Sequence, residues 1–196
     1  VERTQREMQG MACDGLHLEP QTRQNLVRSR SFGTCIETPE ALQAAITHHI
    51  SSGAEALRRD GLVAPAVTVF LHTDFFREEA PQYHKSLSRN LAVPSADTVI
   101  LNREAQNLLA NVYRGGYLYK KCGIELHGLK PAGHVQTDLW QPEAVNPVME
   151  AWDKINRRYG RGRLKLASEL LADDWKMNRD RLSLCYTTRF ADLLVV

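Results

Sequence analysis

The stretch that most restricts this chain runs from 38 to 57, where Thr38, Pro39 and Glu40 open a segment whose apolar positions recur every three or four residues. Leu42, Ala45, Ile46, His49, Ile50, Gly53 and Leu57 share one face at that spacing, so a helix capped by Thr38 must lie on an apolar surface. The chain supplies that surface next. "PAVTVFLH" at 65 to 72 is short, β-branched and bounded by turn residues, which marks a buried strand. A second helical stripe follows, with Val99, Leu101, Ala105, Leu108, Leu109 and Val112, opened by Ser95 as its cap and stopped by Gly115-Gly116.

Three further strands are expected around these helices. "VRSRSFGT" at 27 to 34 is one, "LAVP" at 91 to 94 a short second, and "YLYKKCGIELHGL" at 117 to 129 a third. In the last, Cys122, Ile124 and Leu126 point one way and Lys121, Glu125 and His127 the other, so the strand is half buried. Asp74 to Asn90 is polar and reads as a long surface loop. The order β-α-β-β-α-β predicts an α+β fold, a four-stranded sheet with both helices on one face and the other face open. Lys121 stands on the open face, with Tyr119 and His127 as neighbours.

The flanks differ in character. Residues 1 to about 10 look helical and end at Gly10, and a polar connector leads to 25. "KPAGHVQTDLWQPEAVNP" carries three prolines, so 131 to 147 reads as an extended linker. Leu139 and Trp140 are out of place in it: they either fold back on a core or fill another protein's pocket. Beyond it, residues 148 to 196 form a small tail that begins with a short helix bearing Met149, Trp152 and Ile155. The fold of that tail does not follow from the sequence, and a larger partner is one surface on which it would pack.

Composition narrows the function. At 196 residues the chain can bury a real core, and no run approaches the roughly 18 consecutive apolar residues of a membrane helix. A soluble chain with no membrane partner is expected. It opens "VERTQREMQG", without methionine or a charged-then-apolar leader, which reads as a piece of a longer protein and not as a signal peptide. Cys13, Cys35, Cys122 and Cys185 are spread singly, which suits a reduced, cytoplasmic protein. Net charge is only +2, yet "RRYGRGRLK" gathers Arg157, Arg158, Arg161, Arg163 and Lys165 without an acid. That run is a candidate contact for DNA or for an acidic partner, or a solvated face.

No catalytic pattern appears. The chain holds no phosphate loop, no H-E-x-x-H zinc pair and no G-x-S-x-G elbow. Adjacent His48 and His49 face different directions, His49 along the packed face and His48 into solvent, so they form no metal site. Asp173-Asp174 reads as a surface pair at a helix end.

Two stretches carry a resemblance. "NRRYGRGRLKLASELL", "WKMNRDRLS" and "YTTRF" are similar to the terminal segment of the UmuC-type Y-family translesion DNA polymerases, and "VRSRSFG" resembles the opening strand of their little-finger domain. "VERTQREMQG" resembles the end of the preceding thumb. The similarity spans nearly the whole chain, with Leu184 and Phe190 where the family has proline and tryptophan.

The resemblance implies thumb and connector over 1–25, a DNA-holding little finger over 26–130, a linker over 131–147 and a UmuC-type tail over 148–196. It implies backbone contacts by Arg28, Ser29, Arg30, Ser31, Lys120 and Lys121. Strict alternation puts Arg28 and Arg30 on the face of Phe32, so either a bulge intervenes or one of them is off the DNA. "QTDLW" is similar to a sliding-clamp-binding peptide, with Gln136, Leu139 and Trp140 reaching the β clamp of DNA polymerase III. The family further implies UmuD′ and RecA as partners, a role in the SOS response, and Mg2+ for the full-length polymerase, with no cofactor and no catalytic residue in this part. A standalone ferredoxin-like RNA-binding or interaction module is the competing reading; it requires aromatic rings stacked on the central strands, where Phe32, Phe70 and Tyr119 are the candidates.

Overall fold

The computed structural model describes residues 2–13, 23–77, 79–134, 147–173, 175–176 and 189. In chain order these form helix α1 (Glu2–Met8), strand β1 (Leu26–Ile36), helix α2 (Pro39–Arg59), strands β2 (Leu62–Thr73) and β3 (His84–Ser95), helix α3 (Thr98–Val112), strand β4 (Tyr119–His127), the short strand β5 (Lys130–Pro131) and helix α4 (Pro147–Tyr159). The expected β-α-β-β-α-β order is present. Among the described residues no helix is long and apolar enough to cross a membrane.

The main sheet runs β1-β4-β2-β3 with every neighbour antiparallel, and β5 pairs with the start of β2. β1 and β2 are therefore parallel with β4 between them, and each helical crossover skips one strand. Helix α2 packs over β1 and β4, and α3 over β2 and β3. One face of the sheet receives all the apolar parity: Val67, Val69 and Leu71 from β2, Cys122, Ile124 and Leu126 from β4, Leu26 and Phe32 from β1. The stripe of α2 meets them with Leu42, Ile46, Ile50 and Leu57 and that of α3 with Leu101, Leu108 and Val112, all buried. Each large aliphatic side chain so buried contributes about 1.5–3 kcal/mol. The burial also shows in Cys122, whose thiol is pushed far up by desolvation.

Four sequence expectations are corrected here. The span 74–90 is not a loop throughout, because β3 already begins at His84. It is an outer strand with little apolar content; Leu87 and Leu91 alone of its middle pack against the core, and edge strands keep such polar faces. The cap of α3 is Asp97 and not Ser95: the Asp97 carboxylate accepts from the N–H groups of Val99 and Ile100, at 2.7 and 3.3 Å, while Ser95 Oγ accepts from Asp97 N–H. Tyr119 belongs to the core and not to the open face. A bulge at Lys120 shifts the register, since Lys121 pairs His72 but Tyr119 pairs Thr73, and this turns the ring inward, where its hydroxyl donates to Arg114 O at 2.9 Å. The linker expected from 131 starts later, because Pro131 pairs Leu62 and Ala132 N–H donates to Gly61 O at 2.9 Å.

The described part of the tail packs on this domain. Arg58 on α2 joins three elements: its Nε and Nη2 donate to the Asp153 carboxylate on α4, both at 2.7 Å, and its Nη1 donates to Ala96 O and Thr98 Oγ1 at 2.7 and 2.8 Å. A 3-10 turn, Ala167–Leu170, sets Glu169 against α2, with Oε1 2.9 Å from His48 Nδ1 and 3.4 Å from Lys165 Nζ. His48 is thus partnered and not simply solvated. Trp175 is buried, its ring beside His48 and His49. Asp173 pairs with Lys176; Asp174 lies outside the described residues.

Removing one end of the Arg58 pair should release the tail. Asp153→Ala leaves a largely buried guanidinium short of its acceptor and should cost about 2–4 kcal/mol, measured by chemical denaturation, with faster proteolysis near α4. The double change Arg58→Met/Asp153→Leu should recover most of that loss.

His49 sets a second test. It lies on the packed face of α2, its Nε2 buried without a hydrogen-bond partner, and its pKa is lowered from 6.5 to about 4, first by burial and then by the charges of His48, Arg30 and Arg28. The unfolded chain takes up this proton more readily than the folded one, so stability is full above about pH 6.5 and is lost as pH falls toward 4. The loss attributable to His49 is on the order of 3 kcal/mol. The difference in denaturation midpoint between the parent and His49→Leu should therefore change with pH across that window and be flat above it.

Candidate nucleic-acid interface

Residues of the other parity on the four strands form a face that no described helix covers. They align in rungs across the sheet. One rung is Ser31, Lys121, His72 and His84; the next is Ser29, Gly123, Phe70 and Ser86; the third is Val27, Glu125, Thr68 and Ser88. Short hydroxyls, one lysine and two histidines dominate, and Ser29, Ser31, Ser86 and Ser88 are exposed.

The middle rung is shaped by a glycine. A Cβ at Gly123 would meet Ser29 Cβ at 2.4 Å, Phe70 Cζ at 2.5 Å and the carbonyl oxygen of Arg28 at 2.8 Å, so Phe70 lies across β4 where a side chain would have stood. The face stays flat at its centre as a result. Along one side a polar chain runs through the third rung: Thr68 Oγ1 is 2.6 Å from Ser88 Oγ and 2.6 Å from His127 Nε2, and His127 Nδ1 is 3.4 Å from Glu125 Oε1. In the first rung His72 Nδ1 is 3.2 Å from His84 Nδ1, their ring centroids 3.9 Å apart. Burial holds the His72 imidazole below its ordinary pKa, with His84 and Lys121 adding to the effect.

The candidate residues divide between faces. Ser29, Ser31 and Lys121 share the open face, as expected. Lys120 occupies the β4 bulge, its Nζ 3.5 Å from Gly33 O. Arg28 and Arg30 pair with Ile124 and Cys122, two core residues, and no bulge interrupts β1 between Leu26 and Ser31. Alternation holds, so both arginines lie on the helix side beside His49, with Arg28 Nε buried and without a hydrogen-bond partner. Sequence reasoning missed Thr68, His72, His84, Ser86 and Ser88. All five come from reading 84–90 as a loop or from following only the buried parity of β2; register with β4 and β2 is the signal that finds them.

The basic run lies on the helix side. Arg157 and Arg158 end α4, and Gly160 and Gly162, with φ of 104° and 72°, turn the chain back. Asn156 holds the turn by accepting from Leu164 N–H at 2.8 Å and donating to Leu164 O at 3.1 Å, and Arg163 Nε donates to Tyr159 O at 3.2 Å. Arg157 and Arg161 share a groove with Glu55, Arg58 and Arg59. Gln136, Leu139 and Trp140 lie outside the described residues.

Comparisons with known proteins match this arrangement to one family. Residues 23–139 match the impB/mucB/samB family C-terminal domain, and residues 146–196 match a domain of unknown function, DUF4113. The chain is 35% identical to Protein SamB of Salmonella typhimurium over 98% of its own length and 46% of that protein, and 32% identical to Protein UmuC of the same species over 100% and 47%. It thus spans about half the length of the curated relatives it matches. Among solved structures it is similar to the little finger domain of PolIV in a complex with the beta-clamp processivity factor, at 18% identity and a TM-score of 0.42 over 60% of this chain and 99% of that one. It is also similar to an insertion ternary complex of Dbh DNA polymerase, at 11% identity and a TM-score of 0.43 over 57% and 31%. The match across more than half of its residues shows that the chain belongs to the impB/mucB/samB family, as part of its C-terminal region.

Proposed function

We propose that this chain is the DNA-engaging C-terminal part of an error-prone translesion DNA polymerase, gripping the nucleic-acid backbone with the uncovered face of its sheet. The observation that carries the reading is the sorting of the sheet, which seals one face under two helices and leaves Ser29, Ser31, Lys121, Ser86 and Ser88 aligned on the other. Hydroxyls and a cation on a flat surface suit phosphate oxygens and carry no base code. A polymerase that copies past damaged bases needs such a sequence-blind grip. The competing RNA-recognition reading loses support, because two of its three aromatic candidates, Phe32 and Tyr119, are in the core and the third, Phe70, is committed to covering Gly123.

In the same reading Gln136, Leu139 and Trp140 dock on the sliding clamp, the protein works in the cytoplasm in the SOS response, and UmuD′ and RecA are its partners through the tail. Mg2+ belongs to nucleotidyl transfer in the whole polymerase, but the residues here do not fit it: among those described no three His, Cys, Asp or Glu side chains converge. No chemical step is assigned to this chain.

Two tests follow from the two contacts. Duplex binding should weaken linearly with the logarithm of salt concentration, and Lys121→Ala should lower that slope by about one unit on any sequence; sequence-dependent binding, or an unchanged slope, would count against the open face. The chain should bind the cognate clamp with micromolar affinity, as about −8 kcal/mol, and Leu139→Ala/Trp140→Ala should abolish it. Binding indifferent to that pair of changes would return Trp140 to the chain's own packing.

A further inference from the structure

The first rung of the open face holds two groups that the proposed grip does not use. His72 and His84 face each other across β2 and β3, at the same level as Lys121 on β4 and Ser31 on β1. We propose that His72 and His84 form, with Lys121 and Ser31, a phosphodiester site in which the imidazole pair takes up one proton as the phosphate binds. This rests on the backbone-binding reading above.

The chemistry follows from the two ring nitrogens. At 3.2 Å one Nδ1 serves as donor and the other as acceptor, the roles being set by the tautomers. In the neutral pair, the donating ring then has a bare Nε2, and the accepting ring carries its hydrogen on Nε2. One outer nitrogen is a donor and the other is not. Adding a proton to the bare Nε2 makes both outer nitrogens N–H donors and gives the pair a positive charge, which matches an anion with two free oxygens. No bond between heavy atoms is made or broken; the proton comes from solvent and returns to it when the phosphate leaves.

The surroundings disfavour a charge on His72. Around His72 stand His84 from β3 and the Lys121 cation from β4, with Phe70 and Phe75 as uncharged ring neighbours. Asp74, in the adjoining turn, spends its carboxylate on Phe76 N–H at 3.2 Å, and Glu125 sits two rungs away against His127. Partial burial and the Lys121 charge therefore oppose protonation until an anion offsets them. Uptake of a proton on binding makes affinity rise as pH falls, by at most about tenfold per pH unit.

The test is duplex DNA affinity of the whole chain at about pH 8 and about pH 6, at fixed salt. The ratio of the two affinities should be roughly tenfold in the parent, fall near one in His72→Gln/His84→Gln, and stay near tenfold in His127→Gln. A double variant that keeps the parent's ratio would overturn the proposal, and so would one that weakens binding by the same factor at both pH values, since that is the mark of a structural role. Absence of binding at either pH would instead sink the backbone reading. In that case a histidine NMR titration with inorganic pyrophosphate decides the pair by itself: His72 and His84 should titrate at higher pH when the probe is present, and no response would end the proposal.

Discussion

Alternation along four strands is the constraint on which everything else in this protein rests. A strand shows its two faces to different surroundings: Val67, Val69 and Leu71 of β2 and Cys122, Ile124 and Leu126 of β4 point to the helices, while Thr68, Phe70 and His72 and Lys121, Gly123 and Glu125 alternate with them on the other face. Two helices with apolar stripes can then satisfy only one face. A slip of one residue in β4 would bury Lys121 and expose Ile124, and one in β2 would bury His72 and expose Leu71, so the register that builds the core also fixes the composition of the open surface.

The helix side is closed a second time. Arg58 binds Asp153, Ala96 and Thr98 together, Glu169 reaches His48 and Lys165, and Trp175 is buried beside His48 and His49 at the middle of α2. The described part of the tail therefore lies across the helices and leaves the sheet free. The basic turn after α4 is carried to that same side, away from Lys121, which separates two positive regions that a net charge of +2 would not reveal. A nucleic-acid backbone on the sheet and an acidic partner on the tail could then be held at once.

How much of this was legible depended on how strongly each segment repeats. The stripes of α2 and α3 and the run at 65 to 72 are regular and apolar, and the elements appear where the spacing puts them. The part of β3 before "LAVP" was hidden because an edge strand solvated on much of its surface carries almost no periodic signal, and "LAVP" itself is a register break opposite Pro65, which cannot donate to the ladder. Ser95 and Asp97 are both good caps, and only backbone geometry chooses between them. Tyr119 was misplaced by parity because the bulge at Lys120 shifts the count by one. Arg28 and Arg30 obeyed parity, and it was the carried-over expectation of DNA contact that conflicted with it. The docking of the tail depends on Arg58 and Asp153, which lie 95 positions apart, a separation no local pattern can bridge.

The most direct test of the account is the chemical-shift map of the labelled chain titrated with a short duplex. The account requires the largest changes at Ser29, Ser31, Lys121, Ser86 and Ser88, with α2, α3 and the turn around Arg161 nearly silent. Changes concentrated at Arg59, Arg157 and Arg161, with the open sheet unperturbed, would place the nucleic acid on the helix side and contradict it.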